Sequence, residues 1–214
     1  MPLTSLHLRY ADLEAPGWLP PLTEAGPSGG GKGGEPLPLP RTLASLTLEG
    51  CQIRTLPPHV SELSALTSLV LDRNYLTPAS LPAGLSRLSR LRVLSLADCP
   101  SLVALPPSAA ALPALEQLCL LNTGVRALPE GAPALAGLTS LAWGVAEVAP
   151  VALDLSSLHR SAPRLRALRL NNLPAEQDGA DLAALRGSLA GLTYLRVNSA
   201  VLVGSQGQPP LALA

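Results

Sequence analysis

The chain has 214 residues, of which 47% are hydrophobic and 14% are charged, so its composition excludes an intrinsically disordered protein. Fifteen basic residues balance fifteen acidic ones, and this net charge of zero argues against electrostatic binding of nucleic acid or of an anionic membrane. Aromatic residues make up only 2% of the chain whereas leucine supplies 49 residues, which indicates one small packing unit used many times.

One sequence frame, Leu-x-x-Leu-x-Leu with a turn residue at its ninth position, recurs eight times. In this frame, apolar residues that would point inward alternate with residues that would point outward. This alternation predicts a short β-strand with one buried face. Stacked in parallel about 4.8 Å apart, such strands bury their leucines against each other and form a continuous core. The frames begin at Leu3, Leu43, Leu66, Leu91, Leu115, Leu138, Leu165 and Leu192.

An insert at residues 14–40 separates the first two frames. It holds seven glycines and seven prolines, a composition that buries too little apolar surface to offset the entropy of ordering, so we expect a disordered loop. Within it, Gly26 to Lys32 matches the start of a phosphate-binding loop. Because Gly33 stands where Ser or Thr would hold magnesium, no nucleotide site is predicted.

The connections between the middle frames repeat Leu-Pro-x-x-hydrophobic-x-x-Leu-x-x-Leu, as in residues 56–66. Leu-Pro fixes an extended start, and the leucine spacing leaves room for about one helical turn. Ninth-position residues that can hydrogen-bond the backbone of adjacent coils occur in frames two to five, so the later frames should be less regular and less rigid. These residues are Cys51, Asn74, Cys99 and Thr123.

The end of the chain departs from this pattern. A longer connection predicts a helix from about Asp181, and residues 204–214 are predicted to form a flexible tail after a repeat domain at residues 1–203. No capping segment is evident beside the first or the last frame. Since terminal repeats need a polar or structured cover, we expect a fragment, a truncated gene model, or a chain whose ends are covered by something else.

No arrangement of residues predicts catalysis, a cofactor or a small-molecule substrate. The histidines His7, His59 and His159 have no acid or cysteine at ligand spacing, so no metal site is expected. Cys51 and Cys99 fall two coils apart, beyond disulfide reach, and are interpreted as structural thiols. Cys119 takes an outward, solvent-facing position without a nearby Lys or Arg, so a reactive thiol is not favoured.

Three cysteines without a disulfide framework or a secretion signal favour an intracellular, cytoplasmic protein, with cytoskeletal or ciliary association equally permitted. No apolar run approaches the roughly 18 residues that a membrane span needs, so no membrane association is expected.

Frames and connections together resemble the leucine-rich-repeat family, in particular its 23-residue intracellular class, which includes plant Ras-group-related and Shoc2-like proteins. Residues 96–106 are similar to repeats of disease-resistance proteins. The resemblance covers residues 1–13 and 41–203. It implies an α/β leucine-rich-repeat solenoid, a curved horseshoe with a parallel sheet on the concave face and short turns or helices on the convex face.

The resemblance also implies a function: a non-catalytic protein-interaction module, a signalling scaffold or adaptor, with a protein partner. Two alternatives stay open. The chain could be a fragment of an immune-type or receptor-type sensor, or the recognition part of a ubiquitin ligase or another multidomain enzyme that carries its catalysis elsewhere.

We use the name concave face for the outward residues at the third, fifth and seventh positions of each frame. Its centre is small and apolar, with Glu49 and Asp72 towards the N-terminal end and arginines towards the C-terminal end. The small residues either suit a tightly curved sheet or form a shallow partner groove. The candidate partner-binding residues are Val93, Cys119, Leu121, Arg169, Asn171, Tyr194, Arg196 and Asn198.

Overall fold

A computed structural model of the chain describes residues 3–11, 13, 39–146, 153–155, 158–173 and 191–199. The predicted disordered insert, apart from its last two residues, lies outside this part of the chain, as do the helix expected near Asp181 and the tail at 204–214. Leu39, within the predicted bounds of the insert, is buried and packs in the core. The second coil therefore begins before the position expected from sequence.

Each of the eight frames forms one β-strand, and the strands pair in parallel and in chain order within one sheet. Equivalent frame positions face each other along the strands, from Ser5 opposite Ser45 to Ala167 opposite Tyr194, except at the ends of the pairs β5–β6 and β7–β8, where the register shifts by one residue. The predicted solenoid of stacked coils is thus confirmed. The strands are β1 (Ser5–Arg9), β2 (Ser45–Glu49), β3 (Ser68–Val70), β4 (Val93–Ser95), β5 (Gln117–Thr123), β6 (Ser140–Val145), β7 (Ala167–Leu173) and β8 (Tyr194–Ser199).

The four Leu-Pro connections each contain a single helical turn, as predicted, and the longer connection before β7 contains one as well. Two are 3₁₀ helices, Pro58–Glu62 and Ala83–Arg87, and three are α-helices: α1 (Pro107–Ala110), α2 (Pro133–Ala136) and α3 (Leu158–Ser161). Proline opens α1 and α2, where its missing N–H costs no helical hydrogen bond. Short connections keep successive strands adjacent and so maintain the register of the sheet.

Frame leucines fill the core between the sheet and these connections, and Leu69, Leu94 and Leu120 are fully buried. Trp143 takes a leucine position in the sixth frame. It is also fully buried, and its indole Nε1–H donates to the backbone oxygen of Val125 at 2.8 Å. A large ring therefore fits the repeat because its one polar atom is satisfied.

The predicted hydrogen bonds from ninth-position residues to an adjacent coil are confirmed for Asn74, Cys51 and Cys99, whereas the hydrogen bonds of Thr123 lie within its own coil. The Asn74 side chain accepts the backbone N–H groups of Cys51 and Ile53, both at 3.0 Å. Thr123 Oγ1 donates to the oxygen of Leu120 at 3.0 Å. Pairing along β1 to β5 is continuous, whereas register shifts occur within the pairs β5–β6 and β7–β8. Because one shift lies in frame five and the pair β6–β7 has none, the lower regularity and rigidity of the later frames stay predictions.

Candidate functional site

The in-register sheet turns the concave face into straight rows of side chains that cross the strands. Residues at one frame position become neighbours about 4.8 Å apart, the spacing of adjacent strands. The charged residues of the face therefore meet according to their frame position, whatever their distance in sequence. The fifth-position row reads His7, Thr47, Val70, Ser95, Cys119, Ala142, Arg169 and Arg196.

At the N-terminal end of the face the charges are paired within the protein. Arg9 Nε lies 3.0 Å from a carboxylate oxygen of Glu49, and Arg73 contacts both Glu49 and Asp98 at 3.4 Å. Arg73 also donates from Nη1 to the hydroxyl of Tyr10 at 2.6 Å. Because these groups satisfy one another, they offer little unbalanced charge to a partner.

Asp72, on the same part of the face, forms hydrogen bonds within the sheet. Its Oδ1 accepts the Ser95 hydroxyl at 2.6 Å and the backbone N–H of Ala97 at 2.9 Å. Burial raises the pKa of Asp72 above its ordinary value, and the two hydrogen bonds oppose that rise only in part. Asp72 is therefore a structural carboxylate that links the third and fourth coils.

Cys119, at the centre of the face, is half-buried rather than solvent-facing as the sequence suggested, since neighbouring coils cover it. The expectation that no cation lies nearby is also wrong: the positive charge of Arg169, two coils away, acts to lower the pKa of this thiol. Burial nevertheless dominates and raises the pKa. Burial therefore disfavours the thiolate form of Cys119, the form that reacts as a nucleophile.

On β7 two polar atoms of the face have no hydrogen-bond partner. They are Nε of Arg169, a donor, and Oδ1 of Asn171, an acceptor, and both atoms are buried. No ion pair of Arg169 occurs among the described residues. Unsatisfied buried polar groups are rare in native structures, so two of them on one strand mark β7 as a candidate site.

On β8, Arg196 lies directly opposite Arg169, and Asn198 lies opposite Asn171. Arg196 donates from Nε to Asn198 Oδ1 at 3.3 Å, which orients its guanidinium along the strand. Tyr194 at the start of β8 is 53% exposed. The result is a basic surface with one exposed aromatic ring.

The structure brings together five of the eight candidate residues, those of β7 and β8: Arg169, Asn171, Tyr194, Arg196 and Asn198. Cys119 and Leu121 lie on β5, separated from β7 by the small outward residues Ala142 and Gly144 of β6. Val93 lies on β4, one strand farther away. It therefore extends the apolar side of the face without reaching the arginines.

Sequence reasoning missed a row of residues at the eighth frame position, just beyond the strands. Most of them have positive φ, which turns the chain out of the sheet, and Asn122 donates to Asp98 at 2.8 Å along this row. Asn and Asp tolerate this conformation, so their recurrence here was the available signal. The positive-φ members are Tyr10, Gly50, Arg73, Asp98, Asn122 and Asn172.

The other cysteines and the histidine of the first strand form no catalytic or metal site among the described residues. Cys51 and Cys99 are free and buried, and burial raises the pKa of Cys99 to about 11. His7, in contrast, is exposed, and its ring lies 2.7 Å from the Ser5 hydroxyl. Within the described segments no group of three or more His, Cys, Asp or Glu could hold a metal ion. None of the helices in these segments is long and apolar enough to cross a membrane.

The fold defined by these coils is a leucine-rich-repeat solenoid. No protein-family model and no curated protein matches the sequence. Among solved structures, the chain is similar to the leucine-rich repeat domain of the type III effector XopL, with 28% identity and a TM-score of 0.47. The match covers 63% of this chain and 48% of the other, so this chain spans about half the length of that structure.

Proposed function

We propose that this chain is a non-catalytic protein-interaction module that binds its partner on the concave face of repeats four to eight. One observation carries the proposal: Arg169 and Arg196 face each other on neighbouring strands, and no outward position of β6, β7 or β8 holds an acid. Like charges directly opposite each other destabilise a sheet. A surface that retains such a pair is suited to an anionic group from another molecule.

The rest of the face supports this use. Interfaces concentrate their binding energy in a few large or bidentate residues surrounded by nearly neutral contacts. Tyr194 and the two arginines are residues of that kind, and the small side chains of β6 leave space beside them. Cys119 and Leu121 supply an apolar floor on the other side of this space.

A cytoplasmic scaffold or adaptor in signalling is the role we assign within this class. Four connections of the Leu-Pro type and repeat spacings of 23 to 25 residues in the middle of the chain support the intracellular 23-residue class. The three free cysteines fit a reducing compartment, where buried thiols remain unpaired.

The test begins with capture of a partner from the native lysate on the intact chain, followed by an affinity series at two salt concentrations. Arg169→Ala and Arg196→Ala should each weaken binding by about 1–3 kcal/mol without unfolding the protein. Arg87→Ala and Arg90→Ala on the convex side are matched controls, since both residues are exposed arginines. Loss of binding in these controls, with binding retained in the concave variants, would rule out the concave face.

A further inference from the structure

We propose that the anion held between β7 and β8 is the side-chain carboxylate of an acidic residue in an extended partner segment, whose main chain hydrogen-bonds to Asn171. The inference rests on the proposed function and names the chemistry of the partner. It depends on the juxtaposition of Arg169, Arg196 and Asn171 at one end of the concave face.

The two unsatisfied atoms of β7 need different hydrogen-bond partners. Arg169 Nε is a buried donor without an acceptor, and Asn171 Oδ1 is a buried acceptor without a donor. The two residues lie on the same face of one strand, about 6.6 Å apart along it. A carboxylate supplies the acceptor and an adjacent peptide N–H supplies the donor, so an acidic residue in an extended chain satisfies both with a small side-chain adjustment.

The charge arrangement favours a carboxylate over a neutral group. Guanidinium groups bind carboxylates through two parallel hydrogen bonds, and an anion between two guanidiniums also removes their mutual repulsion. The other arginine of the concave face, Arg9, already has a carboxylate at 3.0 Å from Glu49. At Arg9 the chain itself supplies the carboxylate. Among the described residues Arg169 and Arg196 have no such carboxylate, so a partner would supply it.

The spacing of the coils predicts a second element of the motif. Cys119 lies two strands from Arg169, which is about 10 Å, and an extended chain covers this distance in about three residues. Ala142 of β6 lies between them and leaves room for the crossing chain. Side chains of an extended chain that face the same surface are two or four residues apart, so with the acid over β7 the apolar side chains at these two positions lie on either side of Cys119 and Leu121.

The probes for this inference are pools of ten-residue peptides, acetylated and amidated at their ends, with a fixed central residue in a Ser, Thr and Val background. The fixed residue is Glu, Gln or phosphoserine, and the binding of each labelled pool to the intact chain is measured by fluorescence anisotropy. The Glu pool should bind at least about tenfold more tightly than the Gln pool. An added Leu two or four residues from the Glu, on the same side of the extended peptide, should strengthen binding further.

Variants locate the binding. Arg169→Gln and Arg196→Gln should each remove the preference for Glu over Gln, whereas Arg9→Gln should leave it intact because that arginine is already paired. Asn171→Ala should weaken the Glu and Gln pools to the same extent, since it contacts the main chain. Equal binding of the Glu and Gln pools would overturn the inference, as would a preference for Glu that survives both β7 and β8 variants.

Stability gives an independent readout. Replacing an unsatisfied, half-buried cation with Met should raise the melting temperature by about 2–4 °C, because the new side chain leaves no donor unpaired. A fall in the melting temperature of Arg169→Met would show that the arginine is part of the scaffold and would overturn its assignment to a ligand. Arg92→Met is the control: Arg92 is paired with Glu116 at 3.1 Å, so no gain is expected.

Two further outcomes separate this inference from the proposed function. Tighter binding of phosphoserine than of Glu would assign the site to phosphate and refute the carboxylate. If no peptide pool binds but capture of the lysate partner still depends on Arg169, the acidic-segment inference fails and the interaction module stands. If capture depends on Arg87 and Arg90 instead, the proposed concave site fails as well.

Discussion

Asn74→Ala is the most direct test of what holds neighbouring coils together. The Asn74 side chain is buried and accepts backbone N–H groups of Cys51 and Ile53 at 3.0 Å. Its amide nitrogen donates to the oxygens of Leu48 and Leu71 at 2.7 and 2.8 Å. One side chain therefore satisfies backbone groups of two coils at the point where the strands end.

The expected cost of this change follows from the two N–H groups that lose their acceptor. A buried donor left without a partner costs about 1–3 kcal/mol, so the free energy of unfolding should fall by about 2–6 kcal/mol. Thr123→Ala is the matched control. Thr123 accepts a single N–H, that of Val125 at 3.4 Å, and its loss should cost about 1–3 kcal/mol.

Urea unfolding followed by circular dichroism measures both changes, and amide hydrogen exchange locates them. In Asn74→Ala, exchange should accelerate first at Cys51 and Ile53, because these amides lose their acceptor directly. If Asn74→Ala costs no more than Thr123→Ala and the two amides keep their protection, the inter-coil role assigned to Asn74 is wrong.

Four further predictions follow from the packing. Gly50→Ala should cost about 1–2 kcal/mol, since Gly50 has φ +63° and an added Cβ would lie 2.7 Å from the Tyr10 ring; a Tyr10→Ala background should relieve only the collision and not the backbone strain. Leu118→Ala should lower the free energy of unfolding by about 2–5 kcal/mol because it empties a buried core position, and a loss below about 0.5 kcal/mol would contradict the strand register. Burial raises the pKa of Asp72, so the folded state binds this proton more tightly than the unfolded state does. The free energy of unfolding should therefore fall as pH rises from the ordinary pKa to the raised pKa. Asp72→Asn should flatten that part of the pH–stability curve, and an unchanged slope would contradict the assignment. Deleting residues 17–34 should change loop-closure entropy by only about 1 kcal/mol, so a large fall in melting temperature would show that the segment packs against the coils.

The repeated frame was sufficient to predict the strands and their register. In a strand, side chains alternate between two faces, so a shift of one residue would expose every frame leucine. Only one register buries Leu46, Leu69 and Leu94 together, and the structure adopts it. The connections were predictable for a similar reason: Pro and the leucine spacing leave room for a single helical turn.

The environment of individual outward residues was not predictable in the same way. Asp72 and Cys119 occupy outward positions, yet adjacent coils bury them enough to raise both pKa values. The frame identifies which face a residue points to, but burial on that face depends on the size of side chains from neighbouring coils. Positive φ at Tyr10 and Arg73 was also missed, since such residues rarely adopt this conformation and only their place in the eighth-position row marks them.

The net charge of zero conceals a division of charge along the face, and the stacking of coils decides which of these charges are paired. Glu49 meets Arg9 and Arg73, so the N-terminal end is internally balanced. At the other end Arg169 meets Arg196, and the register that buries the leucines forces this pairing. A single acid at any adjacent outward position would relieve the repulsion at no cost to the core, because outward positions do not pack in it. The fold therefore does not require two unbalanced arginines, and it is this excess of charge on which the proposed carboxylate site rests.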